Sequence, residues 1–445
     1  MKSRFSGSSR LFSSLIFSGL VGLLYLGCAP KGHDHSEKPS PTASPTKENP
    51  PPKENTPPKK EGDETEQENP PPKKNVLLTD EPIKTPTPGT DSKISKPKRP
   101  KKPAPSPEPI FDAAIHPERI ETKLGTAGKI RIAVEFARGG QPTSISNLKF
   151  ESDSVKGAAT APAADSASER QMLTCEQNNS TLDVSARIAN QYYRVMGQYQ
   201  IYVVKFSAVC GHDYRLQFDE ESKGGQVLSI VETIERAKGR LAGEVGLEFW
   251  NERININYPA RSNYYALGTV NITRGNQYEA VAHEIGHAIY ELGGVGAFGL
   301  GVGTQSSVGS KVHFMDQCYS EELAYSEGWA TFFASWLYLN PSDPDAHLTT
   351  IQTRRSPIQI ENVPGDVCKG PASEWRVASY FWRLYDQTTT DRIRPYSFKE
   401  IWSSLTGHEV LTVRQAAALI EAHLAPTTEG KAAFSGLWRK VFLTK

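Results

Sequence analysis

The sequence predicts an α+β protein: a mainly helical domain with a small sheet, preceded by a small β-rich domain and a disordered linker. Three observations predict it. Of the 32 prolines, 21 lie between Pro30 and Pro109, a stretch without Phe, Tyr or Trp. Between Lys129 and Phe218, β-branched runs alternate apolar and polar residues with a period of two. From Gln226 onward the apolar spacing changes to the three-and-four pattern of amphipathic helices.

The first 28 residues read as a leader. Lys2 and Arg4 precede an apolar stretch from Leu11 to Leu26, a poor bilayer span and a good secretory signal. The Gly27-Cys28 junction resembles the lipobox of bacterial lipoproteins, whose cysteine is lipidated and becomes the mature N-terminus. Tyr25 stands where leucine is usual, with Leu24 one place further out, so ordinary signal cleavage is the alternative. The resemblance implies export to a bacterial cell envelope, with a lipid on Cys28 as the membrane anchor. Ala29 after the cysteine implies the outer membrane, and without the lipid the protein would be secreted or periplasmic.

Residues 29 to 110, rich in Pro, Lys and Glu, cannot bury enough apolar surface to offset the entropy of ordering, and read as a solvated spacer. A formal net charge of +1 gives no reason to expect nucleic acid as a partner.

Residues 111 to 222 form the expected β-rich domain, with strands in "KIRIAVEF", "TLDVSARI", "YQIYVVKFSAVC" and "DYRLQF" and a loop at 156 to 168. No constellation there suggests chemistry. Cys28 apart, four of the five cysteines remain: Cys175, Cys210, Cys318 and Cys368. An even remainder in an exported chain predicts two disulfides. Cys175–Cys210 and Cys318–Cys368 are favoured because each pair falls within one expected domain, some free thiols being the alternative.

Residues 223 to 445 form the helical domain. A helix through "VLSIVETIERAKGRLAGEVG" leads to two strands, "ININYPA" and "LGTVNIT". Then comes "VAHEIGHAIYELGG", with Asn276 as the expected N-cap, Glu279 three residues later as a capping-box partner, and Gly293-Gly294 as the stop. Within it His283-Glu284-Ile285-Gly286-His287 has H-E-x-x-H spacing. Val281, Ile285, Ala288, Ile289 and Leu292 make an apolar stripe, and both histidines lie roughly opposite it, adjacent to each other and facing outward into a cleft. With ten histidines in the chain, chance would supply this spacing on the order of 0.01 times, so coincidence is a weak competitor.

A catalytic zinc usually takes three protein ligands and keeps one position open. Six residues beyond His287 stands Gly293, not a third histidine, so the third ligand comes from His313, Asp316, Glu321, Glu322 or Glu327. Glu327 stands out in "AYSEGWATFFASWLYLNP", a largely uncharged helical run where a carboxylate needs a partner: a metal, or alternatively an Arg or the backbone. Glu321 and Glu322 read as first-turn charges favourable to the helix dipole.

H-E-x-x-H, then E-G-W, then "SEWRVASYFWRLYD" together resemble the gluzincin metallopeptidases, most closely the fungalysin-like branch, over roughly residues 226 to 390. The resemblance implies a zincin-type catalytic domain, zinc on His283, His287 and Glu327, and Glu284 as general base. Two departures from it matter. The forty residues from His287 to Glu327 include a run with seven glycines among 293 to 312, a mobile flap or a plain surface loop. Relatives often carry Asp four residues after the glutamate ligand to orient a histidine, where this chain has Thr331. Some other group must then hold the imidazole, with Glu374 the candidate and a plain salt bridge its alternative role.

The expected activity is zinc-dependent hydrolysis of a peptide or protein substrate at the cell envelope. Glu284 would take a proton from the attacking water and pass it to the leaving amine. Tyr325, His313, Tyr380 and Tyr385 are all candidate oxyanion donors. Two other classes stand beside this one: an inactive binding or adhesion lipoprotein, against which retention of Glu284 argues, and a zinc hydrolase of a non-peptide bond.

Overall fold

The computed structural model describes residues 112–152, 171–296, 314–351, 355–386 and 394–443. The expected leader with Cys28, the linker, the loop at 156 to 168, His313 and the glycine-rich run from 297 onward lie outside them. All described residues belong to one unit of the chain, Pro100–Lys445.

Eleven strands come first: β1 (Ala114–Ile115), β2 (Arg119–Leu124), β3 (Lys129–Arg138), β4 (Gln141–Ile145), β5 (Phe150–Ser152), β6 (Gln171–Thr174), β7 (Thr181–Arg187), β8 (Tyr193–Gly197), β9 (Gln200–Ile201), β10 (Val203–Val209) and β11 (His212–Phe218). Helix α1 (Lys223–Glu244) follows, then β12 (Ile254–Asn257), β13 (Tyr264–Ala266), β14 (Thr269–Asn271), α2 (Tyr278–Leu292) and α3 (Glu321–Tyr338). A two-strand ribbon, β15 (His347–Leu348) and β16 (Ile358–Gln359), precedes α4 (Glu374–Tyr385), α5 (Phe398–Leu405), α6 (Val413–Leu424) and α7 (Thr428–Trp438), and a π-helical turn spans Arg439–Leu443. The described residues thus form a mixed α and β protein, with eleven strands before the first helix and most of its helices in the second half, as the change of period predicts.

Three larger sheets form. One has the order β1-β10-β7-β5, and a second runs β2-β11-β3-β4 with β6 also on β3. The third, β13-β14-β12-β8-β9, stands next to α2 and is built on parallel pairing of β12 with both β14 and β8. Its alternation decides its two faces: Tyr193, Val195, Ile254, Ile256 and Val270 are buried in the core, while Arg194, Met196, Asn255 and Asn257 alternate with them on the other side. Strand β13 was not anticipated from sequence.

The helices stack in the order α2, α3, α4. Helix α3 is buried almost all round, from Leu323 to Leu337, so it is the centre of the helical layer. Its Trp329, Phe332 and Trp336 pack with Phe381, Phe398 and Trp402, the Trp336 and Phe398 rings stacking at 4.1 Å.

Both disulfides form as paired from sequence, Cys175–Cys210 and Cys318–Cys368. They point to an oxidising, extracellular or periplasmic setting. Among the described residues no helix is long and apolar enough to cross a membrane.

The start of α2 differs from expectation. Its N-cap is Gln277, without a side-chain cap, and Asn276 instead donates to Glu221 at 2.7 Å. Glu279 turns away from the expected reciprocal cap because a tertiary partner captures it: its Oε2 accepts from the backbone of Thr349 at 2.7 Å and of Thr350 at 2.5 Å. Four hydrogen bonds with that loop would compete with one local cap, and the loop wins.

Candidate metal centre

Residues four apart on a helix lie one above the other, so α2 presents His283 and His287 together. Glu327 meets them from the first half of α3. The Nε2 atoms of His283 and His287 lie 3.1 and 3.2 Å from Glu327 Oε2. All three residues offer ligand atoms within 4.8 Å of one another. Neighbouring ligands of a tetrahedral ion with bonds of about 2.0–2.1 Å sit about 3.3 Å apart, so these residues fit a metal ion.

Two glycines allow this convergence. A Cβ on Gly286 would lie 3.1 Å from both Ala330 Cα and Phe333 Cβ, so its absence lets α2 lie close on α3. A Cβ on Gly328 would lie 2.5 Å from Val377 Cβ and 2.9 Å from the Glu374 carbonyl oxygen, so the same device seats α3 on α4. Glycine inside a helix costs about 1 kcal/mol relative to alanine, an expense that close packing offsets.

Hydroxyls hold the back of each imidazole. His283 Nδ1 is 3.1 Å from Thr331 Oγ1, and Thr331 donates in turn to Glu374 Oε1 at 3.3 Å. His287 Nδ1 is 3.3 Å from Ser326 Oγ. With Nε2 as the ligand atom, Nδ1 carries the proton and donates to these oxygens, which fixes tautomer and ring angle. Sequence reasoning passed over Thr331 as the replacement for an aspartate. Its hydroxyl in fact touches the imidazole itself, with Glu374, buried at the start of α4, one step behind.

The site is more enclosed than a pair of outward-facing histidines implies. The side chains of His283 and His287 are 13% and 6% exposed. Tyr265 of β13 covers His287, its ring stacked at 6.4 Å and 13°. Its hydroxyl bonds Glu291, and burial followed by that carboxylate holds the phenol proton on well above the ordinary range. No local signal in the sequence marks Tyr265 or Ser326, because each contact depends on how separate elements pack; the position of Thr331 is marked, four residues after Glu327, but not its hydroxyl's contact with His283. Glu284, next to the first histidine, is buried on the same helix.

The other candidates are placed elsewhere. Asp316 pairs with Arg355 at 2.9 Å, and Glu321 pairs with Arg414 at 3.1 Å in the first turn of α3, where Glu322 also lies. Of the tyrosines considered as oxyanion donors, Tyr325 donates to the Val295 carbonyl at 3.0 Å and Tyr385 accepts from Arg240 at 3.3 Å. Tyr380 packs on Trp438 and Phe442.

No protein-family model matches this chain, and no curated protein sequence matches it. The two histidines and the glutamate form a group able to bind a metal ion.

Proposed function

We propose that this chain is a zinc-dependent peptidase of the zincin type, held at a bacterial cell envelope by lipid on Cys28. One observation carries the reading: His283, His287 and Glu327 converge from two helices while Glu284 follows the first of them directly. Two neutral imidazoles and one carboxylate leave a divalent ion with net positive charge and a fourth position for a reactant. When bound, zinc supplies Lewis acidity that acidifies water and polarises a carbonyl.

The chain's own groups do the rest. Glu284 orients the attacking water, accepts its proton and returns it to the leaving amine. Thr331, backed by Glu374, and Ser326 keep the imidazoles from rotating away. The enclosure by Tyr265 limits water around the histidines, which strengthens local electrostatics. The disulfides support export, and mass spectrometry of the mature N-terminus for a lipid on Cys28 tests the tether.

The deciding experiment is Glu284→Gln, assayed for peptide hydrolysis and for zinc content beside the wild type. The variant keeps its zinc and loses about 10²- to 10⁴-fold in turnover. Comparable hydrolysis by both proteins would remove Glu284 from the mechanism. A zinc-loaded wild type that cleaves no peptide would remove the peptidase reading itself.

A further inference from the structure

The face of the third sheet turned away from the core is not covered by the described chain; it forms a groove of about 1180 Å³. Arg194, Asn255, Asn257 and Asn271 line its floor and Arg261 its rim, and no Asp, Glu or Lys lines it. Its amides are ordered in advance: Arg194 Nε donates to Asn255 Oδ1 at 2.6 Å, and Asn257 Nδ2 donates to Asn271 Oδ1 at 3.1 Å. Among the described residues neither Arg194 nor Arg261 has a carboxylate partner.

Two hairpin tips flank this floor at opposite corners of the sheet. Tyr199 is 100% exposed and Leu267 is 92% exposed, and both line the groove. Each sits in left-handed backbone, at φ 78° and 49°, which bulky residues rarely adopt. Strain that holds a large apolar side chain in water points to a contact made by something else. The lining combines Arg, Tyr and Met and lacks Lys, Asp and Glu, the composition of a polypeptide interface core. Tyr265 belongs to both places: it is among the residues that line the groove, and its ring stacks on His287.

We propose that this groove docks an acidic segment of the polypeptide substrate, away from the bond that is cut; the proposal rests on the peptidase reading above. The two guanidinium groups select negative charge, the asparagines meet main-chain amides, and Tyr199 and Leu267 grip apolar side chains beside the acidic ones.

The test uses the full chain carrying Glu284→Gln, so that peptide is not consumed. Fluorescence anisotropy compares a labelled peptide of alternating Glu and Tyr with its Gln and Lys counterparts. The acidic peptide binds at least about tenfold more tightly, and added salt weakens it. Arg194→Ala and Arg261→Ala each weaken it by about tenfold, the loss expected when a charge-assisted contact to the acidic segment is removed. Arg261 is exposed, and Tyr199→Gly relieves a left-handed turn, so both variants keep the fold and both should weaken binding. Equal binding of the three peptides, or unchanged affinity in Arg261→Ala and Tyr199→Gly, overturns the proposal. So does a uronic acid oligosaccharide that occupies the groove while acidic peptide does not. Wild-type protein that cleaves peptides without this acidic preference leaves the peptidase reading standing and removes the groove. Acidic peptide held through Arg261 by a protein that cleaves nothing does the reverse.

Discussion

Gly328 offers the sharpest test of how the metal centre is assembled. An alanine there would place its Cβ 2.5 Å from Val377 Cβ and Cγ1, and 2.9 Å from the backbone oxygen of Glu374. Carbon contacts settle near 3.5–4.0 Å, so the overlap is about 1 Å on a β-branched side chain and a helix backbone, neither able to swing aside. Overpacking of this kind costs about 3 kcal/mol at the upper end of its usual range, and the better helix propensity of alanine returns about 1. The net expectation for Gly328→Ala is a loss of about 2 kcal/mol. Gly239 in α1 supplies a matched control, since it is exposed and a Cβ there meets nothing within 4 Å. Gly239→Ala should gain about 1 kcal/mol, so the two variants should differ by about 3. Urea unfolding followed by circular dichroism measures both. Zinc stoichiometry in the folded proteins should fall only in Gly328→Ala, whose neighbour Glu327 is one of the three proposed ligands. A Gly328→Ala protein as stable as Gly239→Ala would refute the close-approach argument.

Other expectations follow from the same geometry. Glu327→Ala should lose most of its zinc while Glu321→Ala, whose side chain pairs with Arg414, keeps it; metal analysis of the folded variants decides. Thr331→Val removes the hydroxyl between His283 and Glu374 and should weaken zinc about 10- to 100-fold in a competition titration with a chelator. The Glu400 carboxyl, in the first turn of α5, is held down to about 2 from its ordinary 4.5 by the guanidinium of Arg394, which precedes the helix, at 2.6 Å, with help from the N-cap Ser397. A lowered folded value means stability present above 4.5 and lost as pH falls toward 2. Because this pair is partly exposed, solvent screens it to about 0.5–1 kcal/mol, and Glu400→Gln should flatten that acid limb of a stability curve.

The sequence displayed the parts whose logic is local. Helical spacing set His283 and His287 on one face, and the uncharged surroundings of Glu327 singled it out among five candidates. Domain-by-domain pairing of cysteines named both disulfides. What it hid depends on contacts between distant elements. Asn276 and Glu279 carried a good local cap, yet Thr349 and Thr350, seventy residues on, took the carboxylate. Thr331 looked inert because a hydroxyl is neither acid nor base, and only the α2–α3 approach shows that it reaches His283. Tyr265 was invisible for a similar reason: β13 is three residues long and has no marked pattern of its own.

Gly286 and Gly328, with Ser326 and Thr331, change what a recognisable fingerprint for such a centre should contain. A search built on ligands and base alone would treat the residues between them as free. Here the spacer positions carry information too: a small residue wherever one helix axis must come near another, and a hydroxyl one residue before and four residues after the glutamate. The composite H-E-x-G-H with S-E-G-x-x-T carries both the residues proposed to hold the ion and those that let the helices fit. It ranks distant chains by whether they can close the same three-helix stack, a criterion that whole-sequence similarity does not weigh.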